Sequence, residues 1–221
     1  MVKRLCFSFG VAFVLWTLMF SPWTAPFIPF WPAMTFSAVT LIALASFWGG
    51  PWWRQLHFRW SDLVLGIAIA VLLWGVFWLG DKVSQWLFPS FARQQVNSIY
   101  GMKQGFQPWL ISLLLLFIIG PAEEIFWRGY IQRSLYLQFL HTDMPLFDSV
   151  SQAIRLSAPT FLAVGLYTLV HLFSFNFMLI MAALVCGIVW GGLYYLMPKR
   201  LPALIISHAL WDAAVFVWFP I

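Results

Sequence analysis

Long stretches without an ionisable residue, separated by shorter polar connections, dominate the 221-residue chain. No Asp, Glu, Lys, Arg or His occurs from Leu5 to Trp53, and His171 is the only one between Arg155 and Lys199. Stretches of that length match the roughly 20 residues that a helix needs to cross hydrocarbon. Seven spans are predicted, at about 5–21, 32–50, 61–79, 107–126 with an extension to 139, 157–174, 177–197 and 201–220. Each is expected to be helical, because in lipid a single segment satisfies its own backbone hydrogen bonds only as a helix. The expected fold class is therefore all-α, a polytopic transmembrane helical bundle of about seven spans, or eight with an interfacial helix.

The connections carry their own signals. Pro22, Pro26, Pro29 and Pro32 break any helix between the first two spans. Trp and Phe crowd that connector and the segment from Trp48 to Trp60, as in interfacial aromatic belts. Segment 81–106 is more polar and is expected to be an extramembrane or surface-lying connection. Lys3 and Arg4 ahead of the apolar run Leu5 to Phe20 imitate a signal peptide, but the run is long and no small-x-small site follows in 21–26. A retained first span is expected. No repeat or second domain is visible, so residues 1–221 read as one membrane domain.

Composition sharpens this picture. With 62% hydrophobic and 9% charged residues, and a mean hydropathy of +0.87, the chain lies far from soluble averages, which excludes a soluble globular enzyme or a nucleic-acid-binding protein. Cys6 and Cys186 sit in separate apolar runs and read as small buried hydrophobes. The net charge of +5 matters less than its placement. Lys3 and Arg4, Arg54 and Arg59, Arg133 and Arg155, and Lys199 and Arg200 fall at alternate connections, leaving Lys82, Arg93 and Lys103 on the other side. By the positive-inside rule the N-terminus is expected in the cytoplasm and the C-terminus outside. A bacterial inner membrane is the expected location.

Against this background, Glu123, Glu124, Arg128, His171, His208 and Asp212, with Arg133 a turn beyond Arg128, stand in or beside apolar stretches. A charge in hydrocarbon costs at least ~2.5–3.5 kcal/mol on insertion scales, so these groups are expected to be paired, wet or functional. Gly120-Pro121-Ala122-Glu123-Glu124-Ile125-Phe126-Trp127-Arg128-Gly129 should continue the fourth helix past a proline kink. Glu124 and Arg128 are four apart and should pair, leaving Glu123 to project elsewhere as a candidate general base or acid. The alternative is an ion network at a helix end. Tyr167 and His171 share a helix face, where the histidine could equally be a hydrogen-bonded structural residue. His208 and Asp212 form another i, i+4 pair, able to orient an imidazole, ligate a metal or neutralise itself.

The combined pattern Glu-Glu-x-x-x-Arg, aromatic-x-x-x-His and His-x-x-x-Asp on three spans resembles the CAAX protease and bacteriocin-processing family, also called the Abi family of intramembrane proteases. The resemblance covers about residues 107–215, and Gly187 to Tyr195 with Leu201-Pro202-Ala203 fits the family's stretch between its last two motifs. It implies that Glu123 and His171 activate water, that His208 and Asp212 stabilise the oxyanion, and that Glu124 and Arg128 hold the site in shape. Tyr167 replaces the usual phenylalanine, and Asp212 replaces a common asparagine. An ionised Asp212 cannot donate to an oxyanion, so it would have to be protonated or orient His208.

Glu123, His171 and His208 could also ligate zinc, although no His-Glu-x-x-His is present; a glutamate-dependent mechanism without metal is preferred. The expected function is an endopeptidase acting on a membrane-associated peptide or protein, with the lipid bilayer as its medium and no nucleic-acid partner. Rival readings are a non-catalytic immunity or regulatory scaffold, weakened by the intact motifs, and a small proton- or metal-relay transporter, weakened by the lack of inverted repeats. A full-length sixth span would separate His171 from His208 by roughly 15 Å along the bundle. The connection after His171 is therefore expected to dip inward and line a polar cavity.

Overall fold

A computed structural model describes the backbone of residues 2–141 and 152–221, and the side chains of 2–140 and 157–221. The side chain of Arg155, one of the basic residues used to orient the chain, lies outside those described. Eight helices account for most of the described residues, and no strand occurs among them. They are α1 (Val2–Phe20), α2 (Phe30–Trp48), α3 (Trp60–Leu87), α4 (Pro89–Gly101), α5 (Pro108–Leu140), α6 (Gln152–Leu169), α7 (Phe177–Leu196) and α8 (Leu201–Ala213). All but α4 supply segments long and apolar enough to cross a bilayer, so the chain is a multi-pass membrane protein.

The outward faces support this reading. Val64, Val71 and Leu72 on α3 and Phe36 and Phe47 on α2 are exposed, a distribution suited to lipid. Inside, α8 packs along α3 and against the middle of α5, while α7 packs on α6. Small residues permit the close approaches. A Cβ at Gly66 of α3 would lie 2.8 Å from the Ala203 carbonyl oxygen, and one at Gly120 of α5 would lie 2.8 Å from Ala209 Cα. Residues 122–132 of α5 are all buried, so this span is surrounded by the others rather than presenting one face to lipid.

Segment 81–106 is largely helical: the third span runs past its expected end at 79, and α4 is the eighth, non-spanning helix of the alternative count. α3 continues 28 residues to Leu87 and α4 follows at once, so most of the expected connection is helical. The reason is local. Asp62 accepts the Arg59 backbone N–H at 2.8 Å at the start of α3, Asp81 takes Gln85 as an i, i+4 partner, and Pro89 occupies the first turn of α4, where its missing N–H costs nothing. At 1.5 Å per residue α3 is roughly 42 Å long, more than a ~30 Å hydrocarbon layer, so it tilts or protrudes. α4 folds back over that end and packs on the start of α7.

Candidate active site

The polar core begins with α5. Its backbone is α-helical at Pro108–Leu114 and Gly120–Glu124 but π-helical at Leu115–Ile119 and Ile125–Gln132. Pro121 has no N–H to give, and the wider turn just before it is closed by Gly120 N donating to Leu115 O. Such π turns recur at functional sites. Here they flank Glu123 and Glu124.

The two consecutive acids reach different partners. Glu124 Oε1 accepts Arg128 Nη1 at 2.9 Å and His208 Nδ1 at 2.8 Å. Glu123 Oε2 accepts the Tyr167 hydroxyl at 3.3 Å. Adjacent helix positions point about 100° apart, so one dipeptide bridges the helix that leads to His171 and the helix that carries His208. Glu124, Arg128 and His208 are all nearly inaccessible, which places the Glu124–Arg128 pair in the bundle interior and not in an ion network at a helix end.

Aromatic rings wall in the charged groups. The Arg128 guanidinium lies 4.9 Å from the Tyr167 ring centroid and 5.7 Å from that of Trp190. Trp190 stacks on the His208 imidazole at 3.9 Å and 16°, while its indole N–H donates to Ser207 Oγ at 3.1 Å. Sequence reasoning missed Trp190. Its position one turn from both Cys186 and Tyr194, among the small residues Gly187, Gly191 and Gly192, was the available signal.

His208 is held from two sides. Its Nε2 lies 3.4 Å from Asp212 Oδ2, long for a hydrogen bond, while the short contact at Nδ1 belongs to Glu124. Glu124, rather than Asp212, thus fixes the orientation of the ring. The sequence showed only the i, i+4 neighbour, because the other partner is 84 residues away.

His171 follows the end of α6. Its Nδ1 lies 2.9 Å from the Tyr167 carbonyl oxygen, which can only accept, so Nδ1 carries a proton, and in the neutral ring the lone pair is at Nε2. Trp16 and Phe20 of α1 pack beside the ring, at 6.5 and 5.7 Å between centroids. The connection then turns through Leu172–Ser174 and Phe175, at φ +50°, to Asn176. Asn176 caps α7 by accepting Leu179 N at 3.0 Å and donates to Gln95 O and Ser98 Oγ of α4. α1 and α4 thus pack on this non-helical connection, in which His171 and Asn176 are buried while Leu172 and Phe175 stay exposed.

Glu123, Tyr167, His171, His208 and Asp212 all line one cavity of about 760 Å³, which extends between α3 and α7 towards α4. Its remaining walls are mainly apolar, including Met34, Leu115, Ala183 and Val215, rather than the polar lining expected from the sequence. Apolar walls suit a site that must admit a hydrophobic chain while keeping a few polar groups convergent. Glu124 and Arg128 stand behind the wall and take no part in it.

Among the described residues, no three His, Cys, Asp or Glu side chains are grouped to hold a metal ion.

Comparison with known proteins gives one match. The family model described as type II CAAX prenyl endopeptidase Rce1-like matches residues 105–214, about half of the chain, from the start of α5 to the end of α8. No curated protein and no solved structure matches the chain.

Proposed function

The chain belongs to the type II CAAX prenyl endopeptidase Rce1-like family of intramembrane proteases, and from that premise we propose that it hydrolyses a peptide bond of a membrane-associated peptide or protein with water activated by Glu123 and His171. The observation that carries this reading is the convergence of Glu123, His171, His208 and Asp212, from three separate spans, on one largely apolar cavity. A trapped water could donate one hydrogen to the Glu123 carboxylate and the other to His171 Nε2. Attack of its oxygen on the scissile carbonyl carbon transfers a proton to Glu123 and leaves an oxyanion. His208 is the donor to that oxyanion. With a carboxylate beside each nitrogen, both N–H groups of a doubly protonated ring find acceptors, and the long Nε2 contact leaves that N–H available to substrate. Asp212 balances the imidazolium charge. As the C–N bond breaks, Glu123 returns its proton to the leaving amine. Glu124 and Arg128 are positioning residues.

The ends of the bundle support one orientation. Arg200 pairs with Asp62 at 2.6 Å where α3 and α8 begin, the same end as Arg54 and Arg59. The cavity is built instead from the ends of α1, α3 and α8 and the starts of α2 and α7. With the basic end and the N-terminus in the cytoplasm of a bacterial cell, the site lies in the outer half of the inner membrane.

The test is cleavage of a quenched fluorogenic apolar peptide by the full chain in lipid nanodiscs. Glu123→Gln and His171→Ala should each lower turnover by roughly 10²–10⁴-fold, the usual worth of a general base, with membrane insertion and helicity unchanged. Undiminished turnover in both would refute the assigned roles.

A further inference from the structure

The cavity wall carries one more carboxylate outside the candidate active site. Asp81 of α3 lines it and is only 6% exposed. Phe77, one turn earlier on α3, packs edge-on against Trp211 at 4.7 Å, next to Asp212. Four helical residues rise about 6 Å, so Asp81 sits about one turn beyond the level of the active site. The opposite wall agrees. Tyr100 of α4 donates to the carbonyl of Val215, three residues past Asp212, and its hydroxyl is held above its ordinary pKa by burial and by the Asp81 charge.

Asp81 is incompletely satisfied. Its Oδ2 accepts from Gln85, which also accepts from Arg93, and lies 3.6 Å from the exposed Lys82 ammonium. Its Oδ1 is buried with no hydrogen-bond partner. Among the described residues, three acids line the cavity, Asp81, Glu123 and Asp212, and no Lys or Arg does. A cation reaching Asp81 gains a charge-assisted partner there, whereas an anionic side chain at the same level meets the like charge of Asp81.

On the endopeptidase reading, we infer that the cleaved segment is an apolar stretch bearing a lysine or arginine for Asp81. An extended chain advances 3.3–3.6 Å per residue, so the basic residue belongs about two positions from the scissile bond.

The experiment uses short apolar peptides, each ending in an amide, in which one position is scanned as Lys, norleucine or Glu. Cleavage is followed in nanodiscs, and binding is measured separately with versions N-methylated at the scissile bond. The lysine peptide should exceed its norleucine counterpart roughly tenfold or more in kcat/KM and in affinity, as expected for a hydrogen bond to a charged group, and the glutamate form should fall below both. Asp81→Asn should collapse the lysine preference, and Asp81→Lys should reverse it. Cleavage or binding indifferent to these charges, or favouring glutamate, overturns the inference. Binding that shows the lysine preference with no cleavage of any peptide upholds the inference and overturns the protease reading instead.

Discussion

Removing Arg128 tests whether the interior of this bundle is organised by charge. Arg128 and Glu124 are 2% and 0% exposed and 2.9 Å apart, so the Arg128→Met variant leaves Glu124 with only His208 as an ionic partner. At an effective dielectric of ~20, two unit charges at the 2.9 Å separation attract by roughly 6 kcal/mol, a gross figure before desolvation. Breaking a buried pair from one side typically costs about 3–5 kcal/mol, because the remaining charge keeps its desolvation penalty. Lost packing of the guanidinium on the Tyr167 and Trp190 rings adds to this. Glu124→Gln removes the charge but retains an acceptor for His208 Nδ1, and should cost less. The double variant Glu124→Gln, Arg128→Met leaves no stranded carboxylate, so it should be more stable than the sum of the singles by about 2 kcal/mol, within the range of coupled neighbours. The assay is reversible unfolding in mixed micelles, followed by tryptophan fluorescence across the parent, the two single variants and the double variant. Additivity within about 0.5 kcal/mol, or an Arg128→Met variant as stable as the parent, would refute the argument.

Two further outcomes follow from the packing and from the ring beside Glu123. Gly66→Leu should push α3 away from α8, since even a Cβ there meets backbone at 2.8 Å, and should lower the unfolding free energy by about 1–3 kcal/mol in the same assay. An unchanged value would mean that the two helices are not locked at this crossing. Tyr167→Phe deletes the hydroxyl that reaches Glu123 at 3.3 Å but keeps the ring against Arg128. Peptide cleavage should stay within about tenfold of the parent, the worth of one hydrogen bond. A loss as large as that of Glu123→Gln would make the hydroxyl part of the chemistry.

The sequence was legible where the physics is local. Spans at Phe30–Trp48, Ser157–Ser174 and Phe177–Leu196 follow from apolar length alone, as does the i, i+4 pairing of Glu124 with Arg128. The end of the third span was set too early, at 79, because α3 is sustained beyond it by an i, i+4 contact and by the burial of Asp81, and burial leaves no mark in composition. The same blindness hid the stack of Trp190 on His208 and the bond from His208 to Glu124.

Hydrophobic length and the cost of charge in lipid thus determined, from the sequence alone, a helical membrane bundle and the few residues able to do chemistry in it. Which of them meet was decided only by tertiary structure. Helix register tells which way a side chain points, but not which neighbour stands there. That Glu123 turns to Tyr167 while Glu124 turns to His208, and that Asp81 shares their cavity, depends on how α3, α5, α6 and α8 cross.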